Sequence, residues 1–284
     1  MRLRRLPVIA SAATVLVPLV TPTNSMGEVS RPCLGALMST LAGRVDGYIT
    51  GLSTGEGWKL TDRQWTTLTE TVAEFSGDAP VYAGILRPTT DAVRRLARVA
   101  PRLGVRGVVV TQPFATEVDT KAAVRHFRSI YETCGLPLIL YHETTFARTV
   151  LDGPALAAII EHCEVAAIKD SAPNSGANTL WSQLPPIRRL QGYEALLDTD
   201  PADGAIVGLA NIEADLVRQV YASKSTAAER IAASVDRYQL LTPTWYMHLK
   251  KELNRRRVIA SPASLTTPPS PEIHVSTHAK TGEL

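Results

Sequence analysis

Eight short apolar or β-branched runs alternate with longer segments of helical periodicity along most of the chain. The runs are VLVPLVT from residue 15, YITGLS from 48, VYAGI from 81, VRGVVVT from 105, PLILYH from 137, VAAIKD from 165, RRLQGY from 188 and GAIVGL from 204. The segments between them, such as RQWTTLTETVAEFSG and KAAVRHFRSIYETCG, are amphipathic and end in glycine, which is typical of a helix C-cap. Eight repeated βα units predict a closed (β/α)8 barrel, the TIM barrel.

A doubly wound α/β sheet is the alternative fold, but no GxGxxG sequence follows an early strand. After residue 212 the strand-like runs stop, and the remaining apolar periodicity is helical. We therefore assign residues 14–222 to the barrel and residues 223–265 to a small C-terminal helical region. Residues 266–284 are rich in Pro, Ser and Thr and are predicted to be a disordered tail.

The first residues, MRLRRLPVIASAATVLVPLVTP, combine a basic start, an apolar stretch and small residues, which is the outline of a secretory signal. The run TVLVPLVT within them is also needed as the first strand of the barrel. We therefore predict that residues 1–13 are an N-terminal extension, that the protein is cytoplasmic and that it has no membrane span.

Composition excludes several classes of function. The chain has 284 residues, of which 45% are hydrophobic, which is enough for a large buried core. The net charge is only +3 and the basic residues are spread along helical patterns, so no nucleic-acid partner is expected. Cys33, Cys134 and Cys163 have neither CxxC spacing nor an even count, which argues against a disulfide framework and a metal site.

In a (β/α)8 barrel the chemistry lies at the C-terminal ends of the strands. Polar residues at these positions include Ser53, Thr54, Thr111, Tyr141, His142 and Lys169. Tyr141 and Lys169 lie one βα unit apart, so their side chains should converge. A lysine there is desolvated, which favours the neutral amine that attacks a carbonyl to form a Schiff base. A tyrosine hydroxyl beside the imine can transfer protons.

These motifs resemble the dihydrodipicolinate synthase and N-acetylneuraminate lyase family of pyruvate-dependent class I aldolases, over about residues 15–265. GLSTGEG is similar to the family's Gly-Thr-Thr-Gly-Glu loop, PLILYH to its tyrosine strand and AAIKDSA to its lysine strand. The resemblance implies that Lys169 and Tyr141 are catalytic. It also implies that Ser53 and Thr54 hold the substrate carboxylate and help to relay protons.

GYEALL and GAIVGLANI are similar to the family's seventh- and eighth-strand signatures. This similarity implies that Gly192 and the backbone of Ile206 line the pyruvyl pocket. The resemblance also implies a homo-oligomer, either a homotetramer or a homodimer. No cofactor is expected, because the lysine imine itself acts as the electron sink.

Three departures from the family pattern bear on the specific activity. Phe146 lies near the position where lysine-pathway synthases have an arginine for a second carboxylate, and Arg148 is out of register. His142 replaces a common asparagine, and TQPFA, with Phe114, replaces a tyrosine pair after the fourth strand. Thr111, Phe114 and His142 therefore remain candidate site residues without an assigned role.

The sequence predicts a lyase that makes or breaks a carbon–carbon bond between pyruvate, or a related 2-keto acid, and an aldehyde or imine. The lysine-pathway synthase activity itself is not expected. The alternatives are a 2-keto-3-deoxy sugar acid dehydratase or decarboxylase that uses the same imine, and a non-catalytic binding barrel. A metal-dependent aldolase or hydrolase using His142, Glu143 and His162 is a further alternative, although His162 precedes the sixth strand.

Overall fold

The computed structural model describes residues 13–172, 177–200, 202–222 and 224–265. Except for residue 13, the predicted N-terminal extension 1–13 lies outside the described residues. The predicted tail 266–284 lies wholly outside them.

In the described part of the chain, eight parallel strands close into a barrel in chain order, which confirms the predicted (β/α)8 fold. The strands are β1 (Thr14–Pro18), β2 (Gly47–Thr50), β3 (Val81–Ile85), β4 (Gly107–Val110), β5 (Leu138–Glu143), β6 (Val165–Ser171), β7 (Arg189–Gln191) and β8 (Gly204–Ala205). The helices are α1 (Arg31–Leu41), α2 (Asp62–Phe75), α3 (Thr90–Ala97), α4 (Thr120–Cys134), α5 (Gly153–His162), α6 (Ala177–Ser182), α7 (Ala210–Ala222), α8 (Lys224–Arg237) and α9 (Trp245–Arg255).

The strands are buried on both faces, which explains why they are continuous apolar runs in the sequence. In β1, Val15 and Val17 pack in the layer between strands and helices, whereas Leu16 lies in a separate interior cluster. That interior cluster fills the barrel and consists of Leu16, Ile49, Leu52, Val109, Ile139, Tyr141, Ala167, Leu190 and Ile206. The barrel interior is therefore a packed core, and the site must lie at its mouth.

The helix ends follow local sequence signals. Thr61 and Gln64 form a reciprocal capping box at the start of α2. Asp119 caps the start of α4 and Gly135, with φ 61°, ends it, as the glycine signal predicted. The segment DAVRRLARVAPRLGVRG, which has helical periodicity, divides into α3 and a 3-10 turn over Ala100–Leu103. Pro101 lacks a backbone N–H donor and therefore stops the α-helical ladder.

The barrel is closed by a shorter eighth strand than the run GAIVGL suggests. Only Gly204 and Ala205 are in β8, because the chain turns after Val207 toward α7. Helices α8 and α9 come after the barrel in the chain, and α9 packs against α7. Among the described residues, no helix combines the length and apolarity that crossing a lipid bilayer requires.

Candidate active site

Lys169 and Tyr141 lie side by side at the mouth of the barrel. They are direct partners in the register of β5 and β6. The Lys169 Nζ atom lies 3.7 Å from the centroid of the Tyr141 ring, and each residue is only 4% exposed. The structure thus brings together the two residues that the strand pattern placed on one rim.

The Lys169 amine has lost most of its contact with water. Burial lowers its pKa to about 7, although the carboxyl groups of Glu194, Glu143 and Asp170 oppose this shift. The amine donates a hydrogen bond of 3.2 Å to Ser171 Oγ, whose hydroxyl donates to the Gly192 carbonyl at 3.0 Å. Near neutral pH, a substantial fraction of this amine is therefore unprotonated and able to act as a nucleophile.

The Tyr141 hydroxyl forms a hydrogen bond of 3.1 Å with Ser53 Oγ, in which either oxygen can donate. Burial is the main cause that raises the pKa of Tyr141, so the phenol stays protonated at neutral pH. Ser53 and Thr54 are buried in the loop after β2. The paired hydroxyls form a short path along which a proton can move beside the amine.

The loop that carries Ser53 and Thr54 has a fixed backbone. Gly51 has φ 59° and Glu56 has φ 54°, and a Cβ at Gly57 would overlap the Gly51 carbonyl. The buried Glu56 carboxylate accepts hydrogen bonds from Lys250 Nζ at 2.8 Å and from the Leu265 backbone N–H at 2.9 Å. The C-terminal helical region therefore holds this loop in place.

Gly192, which the resemblance assigns to the pocket wall, lies against Lys169. A Cβ at this position would come within 3.1 Å of Lys169 Cε and would overlap Ser171 Oγ. Ile206 belongs to the interior cluster, and its backbone N–H donates to the Gln191 carbonyl at 2.8 Å. Gly192 therefore lies beside the lysine at the C-terminal end of the barrel, and Ile206 lies in the core below it.

The three candidates without an assigned role contact groups other than the Lys169 amine. His142 follows Tyr141, so its ring lies on the outer face of β5, where it contacts Asp170 at 3.1 Å and the Leu151 carbonyl at 3.1 Å. Thr111 Oγ1 donates to Glu143 at 3.1 Å. The Phe114 ring packs on Phe146, with centroids 5.6 Å apart.

Two neighbours of Lys169, Ser171 and Glu194, were not among the site residues predicted from the sequence. Ser171 lies two residues after Lys169 and so shares its face of β6, a signal that strand periodicity carries. Glu194 follows β7 at the same rim, and burial raises the pKa of its carboxyl group. Burial also raises the pKa of the Glu143 carboxyl group. This group accepts hydrogen bonds from the backbone N–H groups of residues 145, 146 and 147, which act in the opposite direction on its pKa.

The residues considered for a metal do not converge. His142 and Glu143 point to opposite faces of β5, and His162 lies at the C-terminal end of α5. Among the residues that the structure describes, no group of three or more His, Cys, Asp and Glu side chains is arranged to hold a metal ion.

A cavity of about 260 Å³ opens above Tyr141 and Ser53. Its described walls come from the segment after β5, from Trp58 and from the start of α9. The cavity adjoins the Tyr141–Ser53 hydroxyl pair, and Lys169 lies beside Tyr141.

Comparison with known proteins assigns this constellation to a family. Residues 11–253 match the profile of the Dihydrodipicolinate synthetase family, which covers most of the chain. The chain belongs to that family. A curated relative, 4-hydroxy-tetrahydrodipicolinate synthase of Kineococcus radiotolerans, is 29% identical over 170 residues. The match covers 59% of this chain and 55% of that relative, so the chain spans about half of the relative's length.

Two solved structures have the same fold as this chain. YagE, a prophage protein from E. coli K12 solved in complex with pyruvate, aligns with a TM-score of 0.82 at 20% identity over 92% of this chain and 93% of its own. Ruminococcus gnavus sialic acid aldolase aligns with a TM-score of 0.79 at 18% identity, over 92% of this chain and 91% of its own. At these identities the likeness supports the barrel fold alone.

Proposed function

We propose that this protein is a lyase of the class I aldolase type, in which Lys169 forms a Schiff base with pyruvate or a related 2-keto acid. The observation that carries the proposal is the buried Lys169 amine, with its lowered pKa, beside the Tyr141–Ser53 hydroxyl pair. Membership of a family whose relatives include synthases and aldolases supports an enzyme of this kind.

The reaction follows from these groups. The neutral Lys169 amine adds to the keto carbon, and loss of water gives a protonated imine. That imine withdraws electrons, so a proton leaves the adjacent methyl carbon and an enamine forms. The enamine carbon then attacks the C=O carbon of an aldehyde or the C=N carbon of an imine, whose oxygen or nitrogen takes up a proton, and the lysine imine forms again. Water finally hydrolyses the lysine imine, which releases the product and restores the amine.

Tyr141 is the proposed proton carrier of these steps. Its hydroxyl stays protonated because burial raises its pKa, and Ser53 lies within hydrogen-bond distance to accept or return a proton. Ser53 and Thr54, with the backbone N–H groups of their loop, are proposed to bind the carboxylate of the keto acid. Gly192 keeps the space beside the lysine open.

We do not propose the lysine-pathway synthase activity. The segment after β5 places Phe146 in the cavity wall, whereas Arg148 is exposed. Among the described residues that line the cavity, none can form an ion pair with a second carboxylate. This arrangement favours an acceptor other than a carboxylate-bearing aldehyde.

Exchange of the pyruvate methyl hydrogens tests the proposal without knowledge of the second substrate. The protein is incubated with pyruvate in D₂O and the methyl signal is followed by proton NMR. Enamine formation through Lys169 exchanges these hydrogens for deuterium, and Lys169→Ala should abolish the exchange. Lys251→Ala, which removes an exposed lysine of α9, is the matched control and should exchange normally. Exchange at the wild-type rate in folded Lys169→Ala would contradict the proposal.

A further inference from the structure

The cavity that opens above Tyr141 and Ser53 is lined mainly by aromatic rings. Trp58 and Phe146 are 5.1 Å apart between ring centroids, and Trp58 and Tyr246 are 5.5 Å apart with nearly perpendicular planes. Trp245 and Pro243 continue this wall at the start of α9. Perpendicular and tilted rings of this kind offer both edges and faces to a further flat ring.

The polar groups of the described cavity wall are uncharged. They are the hydroxyls of Ser53, Tyr141, Thr145 and Thr244. The Lys169 amine, 3.7 Å from the Tyr141 centroid, becomes the imine under the proposed function. The Lys59 amine lies behind the aromatic wall, 5.5 Å from the Trp58 centroid and 5.2 Å from that of Tyr246. Its three donors are already used, by Glu56 at 3.3 Å, the Tyr246 hydroxyl at 3.3 Å and the Ser264 hydroxyl at 2.6 Å. A charged reactant in this cavity would therefore lose its water without gaining an ion pair, which is costly.

The cavity has room for one aromatic ring together with the reacting carbonyl group. Its volume is about 260 Å³. An engineered apolar cavity of about 150 Å³ in another protein is large enough to bind benzene. A long polar chain, such as an open sugar, would leave most of its hydroxyls without hydrogen-bond partners among these side chains.

We infer that the second reactant of the proposed aldolase is an uncharged aryl aldehyde, whose ring binds among Trp58, Phe146 and Tyr246. This inference rests on the proposed function. A new bond joins the methyl carbon of the Lys169-bound enamine to the aldehyde carbon. The aldehyde oxygen takes a proton, and hydrolysis of the lysine imine releases a 4-aryl-4-hydroxy-2-oxo acid. The reverse reaction cleaves such an acid to pyruvate and the aryl aldehyde.

An aldehyde panel tests the inference on the wild-type protein. Pyruvate is combined separately with benzaldehyde, succinic semialdehyde and glyceraldehyde, and products are quantified by mass spectrometry. The expected kcat/KM for benzaldehyde exceeds that for succinic semialdehyde by about 100-fold, because the carboxylate finds no partner. A preference for either of the other aldehydes would overturn the inference.

A charge substitution identifies the cavity as the origin of the preference. Phe146→Arg should lower kcat/KM for benzaldehyde and raise it for succinic semialdehyde, so that their ratio falls at least about tenfold. Met26→Arg, which adds the same charge at a residue that is 76% exposed, should leave the ratio unchanged. An unchanged ratio in a folded Phe146→Arg protein would overturn the assignment of this cavity.

Borohydride trapping in the same samples separates the two proposals. A pyruvate adduct on Lys169, with no product from benzaldehyde, would overturn the aryl acceptor while leaving the imine mechanism intact. If folded protein forms no adduct and no product, both the proposed function and the inference that rests on it are overturned.

Discussion

At the scale of single residues, the protonation state of Lys169 decides whether the mouth of the barrel can react. The amine is 4% exposed and its strongest influence is burial, which lowers its pKa to about 7. Three carboxyl groups act in the opposite direction and limit this shift. The result is an amine that is neutral often enough to attack a carbonyl and can still become a protonated imine after addition.

The lowered pKa predicts the pH dependence of imine formation. Below pH 7 the amine becomes protonated, so the rate of reductive trapping by pyruvate and cyanoborohydride should fall about tenfold per pH unit. Above pH 7 most of the amine is already neutral, so its titration should not increase the trapping rate further. Trapping of Nα-acetyl-lysine under the same conditions is the reference for an amine in water, whose neutral fraction keeps rising above pH 7. A rate that keeps rising toward the ordinary lysine pKa of 10.5 would contradict burial as the controlling effect.

Tyr141 has a separable role, because its ring and its hydroxyl contact different groups. Tyr141→Phe keeps the ring beside Lys169 but removes the hydrogen bond to Ser53. We expect this variant to retain adduct formation with pyruvate and to lose about 100-fold or more in methyl deuterium exchange. The two assays are run on the same preparation. Exchange at the wild-type rate would exclude Tyr141 as the proton carrier.

At the scale of elements, much of the arrangement follows from sequence pattern alone. Each of the eight apolar runs overlaps the strand found there to within one residue at its ends or contains it, because strands buried on both faces require such runs. The neighbouring positions of Tyr141 and Lys169 follow from consecutive strands being adjacent in a barrel. Strand alternation then puts Glu143 on the face of Tyr141 and His142 on the other.

Other features depend on contacts that sequence pattern does not report. Glu56 contacts Lys250, which lies 194 positions later in the chain, and neither residue is unusual within its own segment. Glu194 approaches the lysine because the chain after β7 forms a 3-10 turn at the rim, over Glu194–Leu196. The aromatic cavity is assembled from three segments that are distant in the chain. These are consequences of tertiary packing, and they could be seen only in the folded molecule.

The close approach of β7 to β6 predicts that Gly192 tolerates no side chain. In Gly192→Ala the new methyl group would come within 2.8 Å of the Asp170 carbonyl and 3.1 Å of Lys169 Cε, so a strand or the lysine must shift. Trapping by pyruvate and borohydride should decrease at least about tenfold. Gly35→Ala is a suitable control, since its methyl group would make only an ordinary contact of 3.4 Å with Phe75. Normal trapping in Gly192→Ala would show that this contact does not position the lysine.

At the scale of the whole molecule, the C-terminal helical region supports the barrel mouth from outside. Lys250 and Glu56 are both fully buried and joined at 2.8 Å, and the Ser264 hydroxyl also donates to Glu56. Trp245 and Tyr246 of α9 contribute to the cavity wall. The region after the barrel therefore acts both on the loop that carries Ser53 and Thr54 and on the space for the second reactant.

Removing one partner of this buried ion pair should destabilise the fold. Lys250→Met leaves Glu56 with Lys59 as its remaining cation, and we expect the free energy of unfolding to decrease by about 3 kcal/mol. Urea unfolding followed by circular dichroism measures this change. Lys251→Met substitutes the adjacent exposed lysine of the same helix and should change the free energy of unfolding little. Equal stabilities of the two variants would show that the ion pair does not support the loop.

The central claim is that Lys169 forms the covalent bond with the keto acid, and intact-protein mass spectrometry tests it most directly. The protein is incubated with pyruvate and borohydride, and the modified lysine is located by peptide mapping. We predict one reduced pyruvate adduct per chain, located on Lys169 and absent from Lys169→Ala. Folded wild-type protein without an adduct, or with an adduct spread over other lysines, would contradict the imine mechanism.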